Sequence, residues 1–226
     1  GTTVSAGTLD RSGTNMASTL TVATNAILRG NGSVCALTVG GELAPGSDTA
    51  ATIGSLRATG LTLSGGGLYR FDISDATGSA GTNWDVVDVG SGSGTITVDS
   101  SSGNPFTIEL TGAATGFDAY TQYTWTLADG GTVSGLDAGD ITVATNNFTP
   151  GSAGTFTVIE SSGDLQLRYT PDAPAAPAGL SASDGSSTDH VALSWSDVTG
   201  EQSFVIWRHT ADTFGSATAI YTNGAD

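Results

Sequence analysis

LTLSGGGLYRFDIS, Leu61 to Ser74, alternates apolar and polar side chains on both sides of a glycine patch. A period of two places successive side chains on opposite faces of an extended chain, so the stretch predicts two short strands with a tight turn between them. In its second half Tyr69, Phe71 and Ile73 share one face while Leu68, Arg70 and Asp72 share the other. One face is expected to be covered and the other wet.

The same alternation recurs along the chain. It predicts strands at Thr19–Ala23, Ala26–Arg29, Ser33–Val39, Ser55–Ala58, Leu61–Ser64, Leu68–Ser74, Trp84–Val89 and Thr95–Val98. Further strands are expected at Phe106–Leu110, Tyr123–Leu127, Ile141–Ala144, Thr155–Ile159 and Leu165–Thr170. Thirty-three glycines, many Thr and Ser, and no amphipathic helical run make the chain all-β. Strands this short, broken by glycine-rich turns, fit either a β-sandwich or a coil whose turns stack as rungs. The loosely self-similar units ALTVGGELAPG and GLTLSGGGL favour the stacked solenoid, in which each rung covers the apolar strip of the next.

Composition excludes some partners. The 226 residues carry a formal charge of −16, with 22 acidic residues, six arginines and no lysine. Nucleic acid and anionic membrane need a basic surface and are not expected as partners. No apolar run is long enough for a membrane-spanning helix. The lone Cys35 reads as a small buried hydrophobe.

The prolines of PDAPAAPAGL (Pro171, Pro174, Pro177) mark a spacer over residues 171–177, because proline withholds a ladder donor and stiffens the chain. A solenoid over 1–170 is therefore expected to precede a second unit over 178–226. In that unit Val191, Leu193 and Trp195 share one face, as do Phe204 and Ile206, with Val205 and Trp207 opposite.

Candidate chemistry is sparse. Only His190 and His209 are available as bases, both near strand ends, and neither has ligand-spaced Cys or His for zinc. Arg70 and Asp72 read as a same-face ion pair and Asp85 as a strand-start residue capping a turn. No catalytic residue is assigned. Oxygen ligands for a structural Ca²⁺ are offered by Asp72, Asp75, Asp137 and Asp140, without an EF-hand or glycine-rich nonapeptide pattern. Tyr123 and Trp125, on one face of DAYTQYTWTL, and Trp207 are the candidate sugar-stacking aromatics. The triplets Asn31-Gly32-Ser33 and Asn147-Phe148-Thr149 sit at expected turns.

The run from Gly41 to Val98 resembles the passenger-associated β-strand repeats of bacterial autotransporter-type surface proteins. The matching features are the LAPG turn, the LTL strand with its glycine patch and aromatic strand, and the Asp-containing strand WDVVDV. GTFTVIESSGDLQLRYTP, Gly154 to Pro171, is similar to the closing hairpin of such arrays. The resemblance implies a right-handed parallel β-helix in a large secreted or surface-anchored protein. Ala178 to Asp226 resembles the first half of a fibronectin type III domain, with PAGLSASD, HVALSWS and SFVIWRHT as its first three strands and Trp195 as its core tryptophan.

The expected function is a non-catalytic, extracellular or cell-surface structural and adhesive module of a larger surface or filament protein. Its partners would be other copies of itself or cell-surface glycans. The alternative is a carbohydrate-binding module or a β-helix polysaccharide-degrading enzyme.

Overall fold

The computed structural model describes residues 1–14, 18–46, 52–183, 188–201, 203–209 and 214–224. Residues 47–51 of the repeat-like run, Asp184 of PAGLSASD and Thr210 of SFVIWRHT lie outside the described residues. The chain divides into two compact units, Gly1–Pro171 and Asp172–Asp226.

The first unit contains seventeen strands and no α-helix among the described residues. In chain order they begin with β1 (Thr2–Val4), β2 (Gly7–Asp10), β3 (Leu20–Val22), β4 (Ala26–Gly30), β5 (Ala36–Val39) and β6 (Glu42–Pro45). Then come β7 (Ser55–Ala58), β8 (Gly60–Ser64), β9 (Leu68–Asp72), β10 (Val86–Val89), β11 (Thr95–Asp99) and β12 (Phe106–Ala113). The last are β13 (Tyr123–Asp129), β14 (Thr132–Ser134), β15 (Ile141–Thr149), β16 (Gly154–Ser161) and β17 (Asp164–Pro171).

These strands form three sheets. Sheet A runs β1-β3-β5-β8-β11-β14, sheet B runs β15-β12-β9-β6-β4-β2, and sheet C runs β16-β17-β13-β10-β7. From β5 to β15 successive strands enter sheets A, B and C in turn, so sequence neighbours lie in different sheets. All pairings in sheets A and B are parallel, as are β7 with β10 and β10 with β13. Only the hairpin β16–β17 and its junction with β13 are antiparallel. That hairpin turns at Ser162 and Gly163, both at positive φ (57° and 91°), as a two-residue turn between twisted strands requires.

The parallel register stacks like on like. In sheet A, Leu20 lies beside Leu37, then Leu61, then Ile96; Val22 lies beside Val39, then Leu63, then Val98. Leu28, Leu43, Tyr69 and Ile108 do the same in sheet B. Leu56, Val87, Ala128 and Leu165 complete the set in sheet C. All of these are buried, and all but Val98 belong to one continuous core. Most of these side chains are covered on both sides by strands distant in sequence, so the strands are stable only together.

Expectation and structure differ at several places. Thr2–Val4, Gly7–Asp10 and Thr132–Ser134 are strands whose polar, short sequences gave little alternation to read. The LAPG segment is not a turn throughout. Glu42–Pro45 is β6, and Gly46 follows it at φ 99°. Pro45 is tolerated because it closes the strand. Arg70 is not paired with Asp72 either: it bridges Glu42 (3.1 Å) and Glu109 (3.3 Å) on the strands to either side.

The second unit holds two antiparallel pairs, β18 (Ser181–Ala182) with β19 (Leu193–Ser194), and β20 (Ser203–Arg208) with β21 (Thr218–Gly224). A single 3₁₀ turn lies at Phe214–Ser216. Trp195 packs on Phe204 with centroids 5.4 Å apart, while Val191 (63 % exposed) and Leu193 (40 %) remain open to solvent. No helix among the described residues is long and apolar enough to cross a membrane.

Two substitutions test the stacking. Leu61→Ala, which empties the middle of a ladder, should lower the unfolding free energy of the first unit by about 2–5 kcal/mol in urea titrations. Gly112→Ala should also destabilise, because Gly112 sits at φ 107° and an added Cβ would collide with the Ile73 carbonyl oxygen.

Candidate functional site

Chemistry-bearing side chains converge at the corner where sheet B hands the chain to sheet C. Here the excursion 73–85 joins β9 to β10, and the next excursion, 114–122, joins β12 to β13. The two are stitched together: Thr115 donates its N–H to Ser74 O (2.9 Å), and Ala76 donates to Thr115 O (2.8 Å).

Asp85 lies at the centre of this corner, with no exposed surface. Its carboxyl accepts the N–H of Gly54 (2.7 Å), at the entrance to β7, and the N–H of Asp72 (3.0 Å), at the end of β9. Its own N–H donates to Asp72 O (3.0 Å). It is thus a clamp between two sheets and not the turn cap that sequence suggested. Burial pushes its pKa from the ordinary 3.8 up to about 8; the two N–H bonds oppose the shift and the Asp72 carboxylate reinforces it. Asp72 is itself buried and accepts a hydrogen bond from the Thr111 hydroxyl on β12. Among the described residues the neighbouring Trp84 Nε1 is buried with no hydrogen-bond partner, an orphan donor that costs about 1–3 kcal/mol.

The Ca²⁺ candidates do not converge. Asp75 caps its own turn, accepting from the N–H and the hydroxyl of Thr77 (both 2.9 Å). Asp137 and Asp140 close a separate turn, Asp137 N–H donating to Asp140 Oδ2 at 3.0 Å. Among the described residues no group of three or more His, Cys, Asp or Glu could hold a metal ion.

The aromatic candidates turn inward. Trp125 is fully buried, and its Nε1 donates to Ala76 O at 3.0 Å. Tyr123 stacks on it at 5.4 Å with ring planes 7° apart, and its hydroxyl donates to Gly116 O (3.0 Å) while accepting from Asp118 N–H (2.9 Å). Phe117, Phe148, Phe156 and Tyr169 complete the cluster. No Trp125 ring face is left for a sugar; alternation placed Tyr123 and Trp125 together correctly but could not say which side the sheet covers. Trp207, 48 % exposed, stays on the surface of the second unit.

His190 pairs with Asp189 (2.8 Å), both side chains more than half exposed. His209 Nε2 meets Ser216 Oγ at 3.1 Å on the exposed surface. A nucleophile–base pair in open solvent lacks the desolvated setting such chemistry uses.

Asp85 dictates a pH dependence. Its folded pKa exceeds the unfolded one, so between about pH 4 and pH 8 the folded state retains a proton that the unfolded state has lost. Stability should therefore fall as pH rises through that window, and Asp85→Asn should flatten the decline. Urea midpoints from pH 4 to 9 for both proteins measure it.

The chain matches no family model, no curated protein and no solved structure.

Proposed function

We propose that Gly1–Pro171 is a right-handed stacked β-solenoid acting as a stiff, non-catalytic spacer in an extracellular or cell-surface protein. The observation that carries this reading is the in-register column of like residues running through three parallel sheets while the chain enters them in rotation. Right-handed crossovers are the rule for parallel connections. The groups that would serve chemistry are engaged structurally: Arg70 ties three strands, Asp85 ties two sheets, and the aromatics fill the core. The charge of −16 opposes aggregation of such a surface.

The second unit fits this reading as the opening part of a fibronectin type III sandwich. Leu180 and Val191 beside its first strand pair, and Ile220 and Tyr221 in its second, are exposed apolar side chains. The autotransporter-type resemblance is consistent with a surface location, with further copies or surface glycans as partners.

Pulling single molecules by the ends of the first unit tests the spacer reading. A rod that resists extension until it unravels rung by rung is expected, and a compliant tether would overturn it. Glycan-array binding abolished by Trp207→Ala, or reducing-sugar release from a polysaccharide, would replace the spacer with the carbohydrate-active alternative.

A further inference from the structure

Strands β9 and β12 lie side by side in sheet B, and their register sets Thr111 directly opposite Asp72. The two residues are 39 apart in sequence, and the Thr111 hydroxyl meets the Asp72 carboxyl. Two other threonine hydroxyls touch carboxylates, Thr77 with Asp75 and Thr121 with Asp118, but each of these closes a single exposed turn. The Thr111 contact joins two rungs, and its surroundings are dry. Asp72 is 6 % exposed and Asp85 beside it 0 %. Two backbone bonds lock the aspartates together, Asp72 N–H donating to the Asp85 carboxyl (3.0 Å) and Asp85 N–H to Asp72 O (3.0 Å).

Joining a hydroxyl to a carboxyl as an ester requires contact between them, a proton for the departing oxygen, and shelter from the water that would reverse the step. The corner supplies all three. Burial raises the Asp85 pKa to about 8, so at neutral pH this carboxyl carries a proton, and the Asp72 charge adds to the shift because the two groups lie within each other's field. Groups held in contact reach effective molarities of about 10⁵–10⁸ M, far above the concentration of liquid water, which favours condensation over hydrolysis. The chain has one cysteine and no lysine, so neither an internal disulfide nor a lysine amide can tie its rungs.

We infer that Thr111 and Asp72 condense into an ester that joins β9 covalently to β12. Thr111 Oγ1 attacks Asp72 Cγ; the Oγ1–Cγ bond forms and one Cγ–O bond breaks. The departing oxygen takes the Thr111 hydroxyl proton and the Asp85 carboxyl proton and leaves as water. Asp85 is left as a carboxylate, and the N–H groups of Gly54 (2.7 Å) and Asp72 (3.0 Å) stabilise its charge. No co-reactant is consumed. The bond closes residues 72–111 into a loop, the kind of constraint a disulfide imposes. It requires only this corner, so a unit that proved compliant under force and still carried the bond would leave it standing.

Intact mass spectrometry of the folded full chain, followed by chymotryptic digestion and tandem mass spectrometry, tests this. A mass one water below that of the sequence is expected, with the peptides carrying Asp72 and Thr111 found joined. Alkaline hydroxylamine in denaturant should separate them. Thr111→Val and Asp85→Asn should both restore the full mass, and Thr111→Ser, which keeps the hydroxyl, should retain the loss of water. Circular dichroism checks that each variant folds, and the joined peptides of the unsubstituted chain decide the matter where one does not. Full mass in the unsubstituted chain overturns the inference. So does a loss of water that survives in Thr111→Val, or one that maps within a single peptide, as a succinimide at Asp129-Gly130 would. Survival of the loss in Asp85→Asn overturns the proton route through Asp85.

Discussion

Every strand of the first unit depends on cover from strands it meets only through the parallel register. A four-residue strand such as Ala36–Val39 buries just Leu37 and Val39, a gain of a few kcal/mol at about 25 cal/mol per Å². The ordering entropy of a glycine-rich chain offsets most of that gain. What makes the arrangement stable is that Leu37 meets Leu20 on one side and Leu61 on the other. Stability is collective, and the core is a column of near-identical layers.

The corners answer a different constraint. Where the chain leaves one sheet for the next, backbone N–H groups lose their ladder partners inside the protein and need acceptors. Asp85 meets that need for Gly54 and Asp72 with one carboxyl, and Asp164 does it for Gly130 (3.0 Å) on the next turn toward the hairpin. The consequence is electrostatic. Burial first, then the nearby Asp164 and Asp88 carboxylates, hold Asp129 above its ordinary pKa, and burial does the same more strongly to Asp85. Acidic residues satisfy the corners here, and their burial is what raises the pKa of Asp85.

The three sheets share one core but present three different exteriors. Sheets B and C carry ion pairs across neighbouring strands, Arg70 with Glu42 and Glu109 and Arg57 with Asp88 (2.9 Å). Such exposed pairs add little stability, on the order of 1 kcal/mol or less each. Their effect is to tie neighbouring strands of sheets B and C by charge.

Much of the architecture was legible in period-two alternation. Tyr69, Phe71 and Ile73 were read as one face, and all three are buried. Alternation marked strands at Thr155–Ile159 and Leu165–Thr170, and only the likeness of Gly154–Pro171 to a closing hairpin suggested the antiparallel pairing that joins them. Where strands alternate clearly, as at Leu61–Ser64 and Phe106–Leu110, the sequence by itself determined that they extend and which of their sides is apolar, because those properties depend on residues two positions apart. Only the tertiary structure decided that Asp85 is a buried clamp, that Arg70 reaches Glu42 and Glu109 instead of Asp72, and that Trp125 faces the core. It also decided that six hydroxyl residues spread from Thr3 to Ser134 form one rank. The physical reason is that register joins strands far apart in the chain, and local alternation holds no record of which strand lies alongside which.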